Sequence, residues 1–354
     1  MDRLPVVGDQ PEVAPPLATD LSPALRKADV EKAISKVADW EMARVDGNYN
    51  TDWTMSALYA GFMAASEAAK KPKYRDAMKD MGTKMNWQLG SRFNFADDEA
   101  IGQTYLELYM RDQDPVMIDA LREEFDRAMK ESPKQTGLLW WWCDALFMAP
   151  PALVRMYKVT GNVAYLDYMN RQWWTTSSKL WDPQEHLFSR DESYLLRKEA
   201  NGKKLFWARG NGWVMAGLVR VLEYLPEDYP YRAKYVVQYK EMAAKIANLQ
   251  GSDGLWRPGL LDKNAYPVPE TSGSAFFTYA LAWGVNEALL DTPLYKQVVE
   301  KAWKGLLSHI YADGRLGCVQ PAGAAPNSYK PTSSYTYGVG AFLLAGSEVH
   351  RLAQ

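Results

Sequence analysis

Cysteine and histidine are nearly missing from this 354-residue chain, which has only Cys143 and Cys318, and only His186, His309 and His350. Two thiols build no disulfide framework, and so few thiols and imidazoles exclude a zinc cluster or a histidine-rich metal centre. No metal site and no cofactor is expected. An excess of one charge is lacking too: 41 Lys and Arg face 43 Asp and Glu, a formal net charge of -2. No field of one sign draws in nucleic acid or an anionic membrane surface. No apolar run reaches the roughly 18 residues that a membrane helix requires, and Met1 is not followed by the basic and then apolar pattern of an export signal. Period-two strand patterns are absent as well, apart from short pieces such as HLF, His186 to Phe188, that could pair locally.

Aromatic rings are in excess. Fourteen Trp and 21 Tyr go beyond ordinary core filling, and such rings are platforms for stacking on sugars, bases or other flat faces. The length is large for one hydrophobic core, which leaves two domains or one architecture that grows by repetition. Helical periodicity decides for repetition. From about residue 29 the chain reads as some twelve helices, with outer helices such as Val116 to Lys130 carrying one apolar stripe (Ile118, Leu121, Phe125, Met129) opposite a charged face. The helices between them, from Asp52 to Ala69 and from 334 to 352, use small residues (Ala57, Ala60, Gly61; Gly338, Gly340, Ala341, Gly346) that permit close approach on several sides.

Links from even to odd helices are short (KPK, DQDP, TGN, LPEDYP, LDTP), whereas links from odd to even helices are long. In a ring of antiparallel helical hairpins the long loops then open on one face. The expected fold is all-α, an (α/α)6 barrel of six hairpins, with residues 1–28 as an N-terminal tether and 29–354 as a single domain. Residues 1–20 carry four prolines and resemble the stretch left downstream of a removed export signal, so the expected location is periplasmic or secreted, with the cytoplasm as the alternative.

The long loops concentrate rings, carboxylates and arginines. Leu138 to Pro151, LLWWWCDALFMAPP, sets Asp144 between three tryptophans and an apolar helix start. A carboxylate beside so much aromatic surface is hydrogen-bonded, paired or protonated, and these are the states from which acid catalysis is built; the same residue would also serve as a helix N-cap. ADDEAIGQTYLELY, Ala96 to Tyr109, opens a helix with Asp97 and Asp98, either a doubled cap or a second acid facing Asp144. FWARGNGW, Phe206 to Trp213, puts Arg209 between two tryptophans in a loop that glycines allow to turn tightly, and suits a planar carboxylate. It is no nucleotide loop, since Met215 stands where the third glycine of that motif belongs. Cys143 lacks a neighbouring histidine and reads as a small buried apolar residue.

ADDEAIGQTYLELY, W-x-D-A-L-F-M from Trp142 to Met148, and WARGNGW from Trp207 to Trp213 resemble the unsaturated rhamnogalacturonyl hydrolases, glycoside hydrolase family 105 within the wider 88/105 group. The resemblance implies removal of a 4,5-unsaturated uronic acid from the non-reducing end of lyase-made oligosaccharides of rhamnogalacturonan or pectin type. It implies protonation at C4 by Asp144 with water added at C5, assistance from Asp97 or Asp98, Arg209 near the substrate carboxylate, and Trp142, Trp207 and Trp213 lining the pocket. Where several members place a histidine before the Arg-Gly-Asn-Gly motif, this chain reads LFSRDES, with Arg190 and Asp191. A second arginine there suits a further anionic group on the substrate, or a pair with Asp191. The alternatives are an unsaturated glucuronyl hydrolase on glycosaminoglycan or ulvan fragments, and a non-catalytic carbohydrate-binding toroid; sugar epimerases of the same shape lean on several histidines. An unsaturated oligosaccharide is the expected partner, with no nucleic acid or membrane, and the chain is expected to be a monomer or weak homo-oligomer. Exhaustive chelation is expected to leave turnover intact; strict dependence on added metal would sink the metal-free reading.

Overall fold

The computed structural model describes residues 7–131 and 137–354. Six outer helices, α1 (Lys27–Val45), α3 (Pro72–Lys84), α6 (Asp119–Glu131), α9 (Ala164–Leu180), α11 (Arg232–Asn248) and α13 (Thr292–Leu307), each bury one stripe. The chain returns from each through an inner segment: α2 (Trp53–Ala68), α4 and α5 (Ala96–Glu99, Gly102–Asp112), α7 and α8 (Ala145–Met148, Pro150–Thr160), α10 (Ala208–Leu222), α12 (Thr271–Asn286) and α14 (Thr336–Leu352). Each inner segment packs on the next and α14 packs on α2, so the ring closes. Closure happens at backbone contact: a Cβ on Gly340 would stand 2.3 Å from the Ala57 carbonyl oxygen, with Gly61 on the facing helix. The fold is the all-α six-hairpin toroid expected from the loop lengths.

The long loops are knitted at one end, where Ala208 N donates to Pro258 O (2.8 Å), Glu270 N to Trp256 O (2.9 Å) and Thr271 N to Cys318 O (3.0 Å). Of the two small ladders, β2 (Trp181–Asp182) with β3 (Leu187–Phe188) is the local pairing expected of HLF, while β1 (Gly8–Asp9) pairs with β4 (Ser334–Tyr335). The described part of the segment read as a tether is thereby laid along the 310–335 loops: Arg315 Nη1 meets Asp9 Oδ1 at 2.5 Å and Ala18 N donates to Ile310 O at 2.8 Å. Residues 1–6 of that segment lie outside the described residues.

Two inner helices read as continuous are each in two pieces. Between α7 and α8 the cause is Pro150 and Pro151, which lack the N–H groups that would bond four residues back. Leu146 O and Phe147 O are left without those donors. Gln103 on α5 takes one of them, donating from Nε2 to Phe147 O (2.7 Å) and Met148 O (3.1 Å), and its Oε1 accepts from buried Arg220 Nε (2.7 Å). The break ahead of α8 is what lets the turn carrying Asp144 point independently of the helix behind it. Gln103→Leu should leave the carbonyls and the Arg220 donor unpaired, costing at least about 1–3 kcal/mol in denaturant unfolding; unchanged stability would remove Gln103 from this account.

Candidate active site

Asp144 has helical backbone angles, φ -61° and ψ -29°, and its carboxylate makes no capping bond. A capping residue is extended, with its side chain turned onto the N–H groups two or three positions on. Here the following turn is satisfied by main chain instead, Leu146 N donating to Cys143 O (3.1 Å) and Phe147 N to Asp144 O (3.0 Å). The capping role open from the sequence is therefore not taken up. The carboxylate is buried, 9% exposed, and accepts a hydrogen bond from the Cys143 thiol, Sγ to Oδ1 at 3.2 Å. Burial raises its pKa, opposed by the Arg190 charge, the thiol and the Arg209 charge. Cys143, with its own thiol raised by burial and by Asp144, is no nucleophile but a buried donor.

Asp97 is pushed up to about 7, first by burial and then by the neighbouring Asp144 carboxylate, against a weaker pull from Arg92. With Arg92 Nη2 no nearer than 4.0 Å to Asp97 Oδ2, burial and the Asp144 charge outweigh it, and Asp97 holds its proton to near neutrality. Asp98, the other candidate, faces elsewhere. It accepts from Arg92 N (2.7 Å) and Arg92 Nε (3.0 Å), with a further contact from Arg92 Nη2, and its carbonyl takes Gly90 N (3.1 Å). It fastens the 90–92 loop. Arg92 then covers Phe95 (3.7 Å to the centroid), and Phe95 stacks on Trp142 at 5.0 Å, so this clamp also seats one wall of the mouth.

Arg209, Gly210, Asn211 and Gly212 lie in the first turn of α10, where the sequence suggested a loop. The glycines serve close approach and not a left-handed turn: a Cβ on Gly210 would sit 3.1 Å from Cys143 Sγ and 3.7 Å from Asp144 Oδ1. Asn211 is spent on main chain, Oδ1 accepting from Phe188 N (2.7 Å) and Nδ2 donating to Phe188 O (3.0 Å) and Trp207 O (3.0 Å). That clasp holds β3, and with it Arg190.

Arg209 differs from the expected carboxylate clamp. It is fully buried and donates from Nη1 to Gln320 O (2.6 Å) and from Nη2 to Pro321 O (2.8 Å), with its guanidinium over Trp207 (4.5 Å) and Tyr337 (4.8 Å). Both terminal nitrogens are committed to the loop after α13. Gln320, which no sequence feature singled out, is the hub behind it: its N–H donates to Glu270 Oε1 (3.1 Å), its carbonyl also accepts from Tyr337 OH (2.7 Å), and its Oε1 takes Trp207 Nε1 (2.9 Å). A small cavity of about 180 Å³ lies beside it, between Tyr194 and the loop from Pro321 to Asn327.

The tryptophans divide. Trp213 is fully buried among Phe147 (4.8 Å) and Phe276 (4.4 Å), a core residue and not a pocket wall. Trp207 and Trp142, at 1% and 4% exposed, stand behind the mouth, while Trp141 is 44% exposed. Arg190 lies beside Asp144 and pairs with Asp191 at 2.6 Å, so the pairing weighed from sequence is made. No group of three or more His, Cys, Asp or Glu suited to a metal occurs among the described residues.

The model of Glycosyl Hydrolase Family 88 matches residues 28–353. An unsaturated 3S-rhamnoglycuronyl hydrolase of Formosa agariphila is 40% identical, covering 93% of each chain. An enzyme of the same name from an Alteromonas species is 34% identical over 94% of this chain and 89% of its own. A solved family 88 glycosyl hydrolase from Bacteroides vulgatus superposes with a TM-score of 0.87 at 32% identity, over 92% of this chain and 99% of that one.

Turnover should fall as pH rises through about 7, where Asp97 loses its proton. Asp97→Asn removes the repelling charge, so the falling limb should move to lower pH, while Asp144→Asn should cost about 100- to 10,000-fold in kcat. Because the folded-state pKa of Asp97 is raised, the stability this one group contributes is full below the ordinary carboxylate range and is lost as pH rises through about 7. Asp97→Asn should accordingly raise Tm above pH 7, and an unchanged Tm there would show that the carboxylate is not buried as an acid.

Proposed function

The chain belongs to glycosyl hydrolase family 88, and from that membership and the paired carboxyls we propose that its mouth hydrates the double bond of a 4,5-unsaturated uronic acid at the non-reducing end of an oligosaccharide. One observation carries the reading: Asp144 is buried, uncapped and unpaired by Arg190, which bonds Asp191 instead, so its pKa is raised beside a second carboxyl that is raised too. The double bond is a vinyl ether, electron-rich at C4 because the ring oxygen donates into it. Asp144 gives its proton to C4, and the positive charge that develops at C5 is shared with the ring oxygen. Water adds at C5, losing its proton to the carboxylate Asp144 has become. The product is a hemiketal whose ring opens, and the glycosidic bond is lost in that collapse. Asp97, raised to about 7 by burial and the Asp144 charge, stands beside Asp144 as a second proton-holding carboxyl that assists it. No displacement at the anomeric carbon is needed, so the spacing rule for two-carboxylate glycosidases does not govern this pair.

The substrate class follows the relatives more than the motifs. The Formosa and Alteromonas relatives are both named unsaturated 3S-rhamnoglycuronyl hydrolase; reading 3S as a sulfate on the rhamnose supports a sulfated rhamnose next to the unsaturated uronate over an unsulfated pectin-type partner. The expected oligosaccharides are products of a lyase, since only elimination leaves the 4,5 double bond. A panel of lyase-made disaccharides, ending in unsaturated uronate on sulfated rhamnose, unsulfated rhamnose or a hexosamine, checks this by loss of the double bond's ultraviolet absorbance. Fastest loss with the sulfated rhamnose is expected. Faster turnover of the hexosamine substrate would reassign the sugar, and no loss with any of them would sink the reaction.

A further inference from the structure

Trp141 is the one ring of the Trp140–Trp142 run that reaches solvent, 44% exposed against 1% and 4% for its neighbours. It leans on Trp142 at 4.6 Å between centroids, and the Arg190 guanidinium stands 5.2 Å from its centroid. Arg190 is held from two sides. Its carbonyl accepts from Cys143 N (2.8 Å), tying it to the Asp144 turn, and its Nη1 donates to Asp191 Oδ2 (2.6 Å), Asp191 itself being fixed by Ser193 N (2.8 Å). Nε and Nη2 carry no hydrogen bond among the described residues, and Nε is buried.

We propose that Trp141 and Arg190 form the subsite for the sugar next to the unsaturated uronate, and that Arg190 reads a sulfate on that sugar. The inference rests on the reaction proposed above, which fixes Asp144 as the group at C4. Behind Asp144 the mouth is closed by Trp207, Arg209 and Gln320, all at most 1% exposed, so the oligosaccharide continues outward, past Trp141. A sugar face stacks on an exposed indole. A guanidinium with one nitrogen in use still offers N–H groups to a tetrahedral oxyanion, and its charge strengthens those bonds. Asp191 explains why Arg190 is available. Without it the arginine would swing onto Asp144, ionise it, and remove the acid. The pair with Asp191 holds the cation over the tryptophan, within reach of the substrate and short of the catalytic carboxyl. Arg209 offers no equivalent, its terminal nitrogens being engaged by Gln320 O and Pro321 O.

The test compares one disaccharide with and without its rhamnose sulfate, assayed by loss of double-bond absorbance with wild type, Arg190→Ala, Arg190→Lys and Trp141→Ala. In Arg190→Ala the ratio of kcat/KM for sulfated over unsulfated substrate should fall about 10- to 100-fold, the worth of a charge-assisted hydrogen bond. The lysine variant should recover part of that ratio, since it keeps the charge without the fork. Trp141→Ala should raise KM for both substrates together. The Cys143–Arg190 main-chain bond survives every substitution, so the variants keep the anchor of this turn. An unchanged ratio in Arg190→Ala overturns the proposal. So does a loss confined to kcat with a shifted pH profile on both substrates, which would make Arg190 a residue that acts only through Asp144. If wild type hydrates neither substrate, it is the reaction itself that fails, and the two failures are told apart by that control.

Discussion

Parallel inner helices packed at backbone contact are the constraint on which the rest of the molecule depends. All six inner segments enter from the long-loop end, so their N-termini gather there and their C-termini gather at the other. At the C-terminal end the chain answers with cations. Arg155 donates to Pro151 O and Arg220 O (both 3.1 Å) and pairs with Glu107 and Glu223 (3.0 and 3.2 Å). These groups line a cavity of about 680 Å³ at that end. Although burial alone would raise it, Arg220 and Arg155 hold the Glu107 carboxyl below its usual range.

The mouth treats buried carboxyls the opposite way. Asp97 and Asp144 are enclosed too, yet neither is gripped by two guanidinium groups as Glu107 is: Arg92 comes only to 4.0 Å of Asp97, and both pKa values rise. The same fold thus lowers the pKa of one buried carboxyl and raises that of two others, and how tightly guanidinium groups close on each is what differs. Keeping cations at that distance takes work from residues that touch no substrate. Asp98 occupies Arg92, Asp191 occupies Arg190, and the Gln320 and Pro321 carbonyls occupy Arg209. Each of the three arginines near the acids is committed to a partner of its own. The field of the gathered helix N-termini still favours an anionic substrate at this end, without supplying a cation that would ionise Asp144.

Much of the candidate site could be located from the motifs, and the places where the structure departs from them share one cause. Asp97, Asp98, Asp144, Arg190 and Arg209 all come from loops or helix starts that the alternation of long and short links assigns to one face. What the motifs could not show is where each side chain spends its hydrogen bonds. Asp98 and Asp97 are adjacent and chemically identical, and only the position of Arg92 separates a loop clamp from an acid. Arg209 sits between two tryptophans in sequence, but its fork is turned to carbonyls more than a hundred residues away. Gln320 was invisible because its neighbours, Pro321 to Ala325, carry no chemistry, and its role exists only where four segments meet.

By itself the sequence determined the class of fold, because apolar stripes, small-residue helices and the lengths of links are local quantities, and closure of six hairpins follows from them. It also determined which loops carry chemistry. Tertiary structure alone decided the state of Asp144. As a cap it would have been an ion held by main-chain N–H groups; with helical backbone angles, Pro150 breaking the helix behind it and Arg190 drawn aside by Asp191, it is a buried carboxyl whose pKa is raised. Protonation depends on the distances to charges brought together from separate parts of the chain, and those distances exist only once the ring has closed.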